Sequence, residues 1–181
     1  SVAHSAACVH RLLQDSQAMT RDDFLREAID AARESSKMSG MLAGITVAQA
    51  ALESAFGKSE LSRRANNYFG IKAHGKHATV EMPTTEVIGG VVRKVSARFA
   101  AYPSMAECFA CRDRLIGTSE RYGVAVAVRD NPAKFMAEVG KYWATDPAYA
   151  EKVLKVYYDN GLNRLDERAL ADGGSVLDAA P

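Results

Sequence analysis

The stretch MLAGITVAQAAL, Met41 to Leu52, constrains the chain more than any other, because nearly every residue in it is small or apolar. Ile45, Ala48, Gln49 and Leu52 recur at helical spacing. The stretch therefore reads as a helix buried on most of its sides, which needs other elements packed around it. Gly57 is expected to end the run, leaving Glu53 at its C-terminal end. A carboxylate there meets the negative end of the helix macrodipole, and burial among apolar groups disfavours its ionisation; both push its pKa upward. Keeping a proton until a leaving oxygen needs it is what a general acid does. Phe56 is placed to wall the carboxyl off from water, and Gly57 lets the chain turn sharply beside it.

The chain has 181 residues, enough for one substantial domain around such a helix and too few for two ordinary ones. Residues 1–20 read as an N-terminal extension, 21–168 as the folded domain and 169–181 as a flexible tail. Lys and Arg total 23 against 22 Asp and Glu, a net charge of +1, which argues against binding nucleic acid through bulk charge. No long apolar stretch is present, so no membrane insertion is expected. The start, SVAHSAACVHRLLQDSQ, lacks the basic region and long apolar core of a secretory signal. Cys8, Cys108 and Cys111 are an odd set without a disulfide framework. The CxxC spacing of Cys108 and Cys111 falls in a helical pattern with no second such pair, and His4, His10, His74 and His77 form no recognised ligand motif, so no metal is expected.

Around the central stretch, TRDDFLREAIDAARESSKMSG reads as a helix opened by a capping box, Thr20 with Asp23, and stopped near Gly40. Between Thr79 and Tyr102 the period changes to two, with Gly89-Gly90 joining two β-prone runs: a hairpin with a tight turn. Helical patterns resume at SMAECFACRDRLIG, after the Asn131-Pro132 boundary, and at DPAYAEKVLKVYYDNGL. The expected class is α+β, mostly α, with a β-lobe at about 78–102.

Two further groups carry candidate chemistry. In RRANNYFGIKA, the amides of Asn66 and Asn67, the ring of Tyr68 and the open approach at Gly70 suit a neutral polar ligand such as an N-acetylated sugar, whereas Phe69 reads as packing. In MPTTEVIGG, Glu86 stands on a strand near the turn, with Glu81 as its competitor; a glycosidase needs a second carboxylate facing the first.

The segment AQAALESAFGKSELSRRANNYFGIKA closely resembles the signature of glycoside hydrolase family 73, the bacterial β-N-acetylglucosaminidases that cleave peptidoglycan. The resemblance continues in order through TTEV, ARFAAYPSMAEC and WATDPAYAEKV, over roughly residues 22–165. It implies a lysozyme-like helical lobe with a small β-hairpin lobe over a substrate groove, and no cofactor. Glu53 matches the family's catalytic acid and Glu86 its proposed partner on the hairpin. Asn66, Asn67 and Tyr68 match the segment lining the groove, and Tyr102 an aromatic after the hairpin. Phe56 stands where Trp is common, and Trp143 where the family usually has Tyr; Trp143 can stack on a sugar but offers no phenol. Tyr142 and Asp146 flank it as further binding candidates.

The implied reaction is hydrolysis of the β-1,4 bond after N-acetylglucosamine in peptidoglycan glycan strands. The alternatives are a lytic transglycosylase or N-acetylmuramidase on the same fold, or a non-catalytic binding or assembly module. Such a protein would act in the periplasm, at the cell surface or outside the cell. An immunity or assembly protein is a conceivable partner.

Overall fold

The computed structural model describes residues 19–172. Apart from Met19 and Thr20, the N-terminal extension lies outside them, as does the tail from residue 173. The central stretch forms α2 (Ala43–Ser54), in which Gly44 to Ala51 and Ser54 are all buried. Its neighbours are α1 (Arg21–Ser39), the long α4 (Met105–Thr118), α7 (Tyr149–Asp159) and α8 (Asn163–Ala171). Short α3 (Glu60–Ala65) and α5 (Gly123–Ala127), with the longer α6 (Pro132–Trp143), complete the helical lobe. Phe24, Ile45, Phe69, Phe109, Ile116, Phe135, Met136 and Val153 fill its core. No helix among the described residues is long and apolar enough to cross a membrane.

The helix limits follow from local chemistry. Thr20 accepts from the Asp23 N–H at 3.1 Å, the N-cap half of the expected capping box, while the Asp23 carboxylate takes the Thr20 hydroxyl at 2.7 Å instead of its backbone N–H. Gly40 takes the left-handed conformation that closes α1. Ser104 and Asn131 cap α4 and α6 in the same way as Thr20 caps α1. The start of α2 has no local cap. Instead the buried Asp166 carboxylate, from α8, accepts the Gly44 and Ile45 N–H groups, the latter at 2.9 Å, and the Tyr157 hydroxyl at 3.0 Å. A side chain at Gly44 would stand 2.3 Å from the Leu162 carbonyl oxygen, so only glycine admits this approach.

The end of α2 differs from expectation. The helix stops at Ser54, and Ala55, Phe56 and Gly57 are all left-handed, at φ +50°, +55° and +76°. The Ser54 hydroxyl accepts the Gly57 N–H at 2.9 Å and stabilises this unusual turn. Two of the three residues carry a Cβ, so the turn holds backbone strain of order 1 kcal/mol or more at each.

Strands β1 (Ala78–Ile88) and β2 (Val91–Ala101) form the antiparallel hairpin, in register from Ala78↔Ala101 to Ile88↔Val91 across Gly89-Gly90. Both turn glycines have positive φ, as a two-residue hairpin loop demands. The base of the ribbon is anchored: Ala100 N–H donates to Ile71, Ala73 N–H to Arg98, and Met82, Phe99 and Ala100 are buried. Beyond the Thr84↔Val95 pair every residue of both strands is exposed.

Candidate active site

Glu53 occupies the last turn of α2, half-buried, where the helix leaves the core. Burial raises its pKa, and the neighbouring Tyr149 phenol, from α7, partly opposes that rise. A Cβ on Gly70 would lie 3.9 Å from Glu53 Oε2, so the bare backbone at Gly70 forms an open wall beside the carboxyl. Phe56 has packing partners of its own. The left-handed turn carries its ring onto Phe24, with centroids 5.8 Å apart, and under the Arg21 guanidinium at 4.2 Å. Tyr149 and Gly70 stand beside the carboxyl.

Behind Tyr149 runs a polar relay that sequence reasoning did not find. Gln49 Nε2 donates to the Tyr149 oxygen at 3.0 Å, so the phenol's own proton is not used on Gln49. The Gln49 carbonyl accepts from Arg112 Nε and Nη2 at 3.0 and 2.6 Å. Arg112, wholly buried in α4, also donates to Thr46 at 3.1 Å and to Asp113 at 2.8 Å, and Asp113 accepts from Ser35 and Ser39. Every member is satisfied, as a buried network must be. The signal was present: Gln49 and Arg112 are polar residues at core positions of otherwise apolar helix faces.

The expected glycan contacts divide. Asn67 is buried and its amide is spent internally, donating to Ile71 and Ala100 at 2.8 and 2.9 Å and accepting from the Ile71 N–H at 3.1 Å. Asn66 caps α3 in the left-handed region and donates to the Tyr102 carbonyl at 3.0 Å. Tyr68 packs against Phe24 and Phe109, and burial pushes its phenol up to about 12. Tyr102 is buried and turns its hydroxyl onto the Cys111 sulfur at 3.2 Å. Asn67 fixes the turn from Phe69 to Ile71, and it is Gly70 within that turn that stands beside Glu53.

The aromatic residues in the last turn of α6 lie closer to an open surface. Trp143, half-buried, meets Phe69 edge-on at 6.4 Å and Tyr122 at 6.3 Å; the exposed Tyr142 continues the cluster from Tyr122 at 5.9 Å. Asp146 accepts the Ala148 N–H at 2.9 Å and pairs with Lys152, contacts that hold its pKa down, and it borders a hollow of about 250 Å³ shared with Tyr149. A larger hollow, about 580 Å³, lies between α1 and α4, and Glu53 is not among its lining residues.

On the ribbon, Glu86 and Met82 share the face that also carries Phe99 and packs toward the helical lobe, whereas Glu81 lies on the opposite face. Glu86 is paired with Lys72 at 2.9 Å, and Lys72 in turn lies over the Phe99 ring. Between the two hairpin candidates, the pleat favours Glu86.

The family description glucosaminidase, mannosyl-glycoprotein endo-β-N-acetylglucosaminidase, matches residues 29–162. The chain belongs to this glucosaminidase family, glycoside hydrolase family 73. Among its relatives, the peptidoglycan hydrolase FlgJ of Pseudomonas aeruginosa is 34% identical over 142 residues, 75% of this chain and 36% of that protein. The exo-glucosaminidase LytG of Bacillus subtilis is 35% identical over 132 residues, 70% of this chain and 47% of that protein. The chain thus spans less than half the length of these glucosaminidase-family relatives. In three dimensions it matches the catalytic domain of the Listeria monocytogenes autolysin Auto, with a TM-score of 0.72, 27% identity, and 91% of this chain and 97% of that one covered. The truncated glycoside hydrolase domain of Salmonella typhimurium FlgJ matches with a TM-score of 0.63 and 31% identity, covering 78% of this chain and 98% of that one. The mostly helical, lysozyme-like fold with one antiparallel hairpin is the fold of these domains.

Proposed function

We propose that the chain hydrolyses the β-1,4 bond after N-acetylglucosamine in peptidoglycan, with Glu53 as general acid. The observation that carries this reading is the setting of Glu53: a carboxyl at the exit of a buried helix, its pKa raised by burial, beside a phenol that is itself fixed from the core. Protonated Glu53 donates to the glycosidic oxygen, the bond to C1 breaks with that oxygen keeping the electron pair, and positive charge spreads over C1 and the ring oxygen. Water then attacks C1 and loses a proton to a base. Glu86 is the candidate base or nucleophile, and the substrate's acetamido group is the alternative partner; Trp143 and Tyr142 offer stacking faces for the sugars. The relatives named peptidoglycan hydrolases support this substrate over a mannosyl glycoprotein. Peptidoglycan lies outside the cytoplasmic membrane, so the activity belongs to the periplasm, cell surface or exterior.

The test incubates purified peptidoglycan, and separately a high-mannose glycoprotein, with the wild type and Glu53→Gln. Fragments are reduced with borohydride and weighed by mass spectrometry. Reduced N-acetylglucosamine ends made only by the wild type support the proposal. Reduced or anhydro muramic ends would move the cut to the other bond, and release from the glycoprotein alone would replace the substrate. Retained glycan binding without any release would favour a binding module.

A further inference from the structure

At the foot of the ribbon three metal-ligating side chains converge from two parts of the chain. His74 and His77 stand on either side of the turn at Gly75, just before β1, and Cys111 projects from α4. One ligand atom from each lies within 4.8 Å of the others, and Cys111 Sγ is 3.4 Å from His74 Nε2. We propose that His74, His77 and Cys111 form a binding site for a divalent transition metal, best suited to zinc.

The donor set carries the choice of metal. Two imidazoles and one thiolate, with no carboxylate, suit zinc rather than calcium or magnesium, which require oxygen ligands. At zinc bond lengths of about 2.0–2.1 Å to nitrogen and about 2.3 Å to sulfur, tetrahedral ligand atoms stand about 3.3–3.7 Å apart. The Cys111–His74 pair is already at that spacing, and the third ligand needs a movement of about 1.5 Å at most, which a loop histidine can make. Cys111 is buried while both histidines are half-buried, so the site is closed on the helix side and open to entry on the loop side. The Tyr102 hydroxyl, 3.2 Å from Sγ, supplies the outer hydrogen bond such a thiolate needs, and the His77 ring lies 5.3 Å from the Tyr102 ring. The cation that acts on His74 is Arg114, which is exposed and screened by solvent. One thiolate offsets half the charge of the metal.

The neighbouring Cys108 takes no part. It faces the core and accepts the Tyr68 N–H, so the two cysteines of the CxxC spacing have separate surroundings. The sequence expectation of no metal counted only ligands close in the chain. Bound metal would tie the segment ahead of β1 to α4, fixing the ribbon at its base.

The test uses the full chain, stripped of metal and titrated with Co²⁺, then with competing Zn²⁺. One equivalent of cobalt with a thiolate-to-cobalt charge-transfer band, displaced by zinc, is expected. The band is retained in Cys8→Ser and Cys108→Ala and lost in Cys111→Ser. His77→Gln, a half-buried position where folding is checked by circular dichroism, weakens zinc by more than about 100-fold, beyond the cost of losing an outer hydrogen bond. That variant decides the matter even where Cys111→Ser does not fold. No cobalt band, a band that survives Cys111→Ser or depends on Cys8, or full affinity in folded His77→Gln would overturn the proposal.

Discussion

Helix α2 and the outer half of the β ribbon each carry a candidate carboxylate, Glu53 and Glu86, and they are held in opposite ways. The helix is buried along almost its whole length, and polar groups from α1, α4, α7 and α8 fix its start and the partners of its acid. The ribbon beyond Thr84 is held mainly by its own cross-strand bonds, with Val87 and Val92 about 69% and 68% exposed at its tip. A two-stranded ribbon alone is marginally stable in water. On the proposed mechanism, the acid that must keep its proton is therefore on the rigid element, and the group proposed to meet a long polymer is on the element that can yield.

The largest expected break in this comparison is Glu53→Gln, which should lower turnover by about 10²–10⁴-fold in a fragment-release assay. The same change should raise thermal stability. Glu53 has a folded pKa above its ordinary value, so the folded state binds the proton more tightly, and stability is lost as pH rises from the unfolded pKa through the folded one. Glutamine removes that loss, and the gain over wild type should appear above the ordinary carboxyl range and vanish in acid. Next, Arg112→Met leaves the buried Asp113 without its cation and Gln49 without its donor, and should cost about 3–5 kcal/mol in urea unfolding. Tyr149→Phe should cost about 1–3 kcal/mol, since the buried Gln49 amide loses its acceptor. It also removes the group that lowers the Glu53 pKa, so the alkaline limb of the rate profile should move to higher pH. Glu86→Gln comes last in stability, under about 1 kcal/mol for an exposed ion pair, yet turnover should fall by about 10² or more. Unchanged turnover would assign the second role to the substrate's acetamido group.

Much of the scaffold was legible because its determinants are local. Thr20 with Asp23, Gly40, Asn131-Pro132 and Gly89-Gly90 mark boundaries through contacts a few residues away, and the structure places them as read. The site was legible only where it coincided with such features. Glu53 was found from the end of an apolar run, but its partners Tyr149, Gln49 and Arg112 meet through tertiary packing that no spacing reveals. Asn67 was misread for a related reason: an amide suited to a sugar is equally suited to a buried turn, and the Ile71 and Ala100 carbonyls claim it. The end of α2 was misjudged because Gly57 was taken to stop the helix, whereas Ala55 and Phe56 enter the left-handed region before it.

The carboxylate of Asp166 has a practical meaning for anyone who would transplant this domain. It lies past residue 162, where the family match ends, yet it holds the first amides of the helix that carries Glu53. A fusion protein trimmed to the matched limits would carry every candidate catalytic group and lack the fastening that keeps one of them in place. The portable unit includes α8.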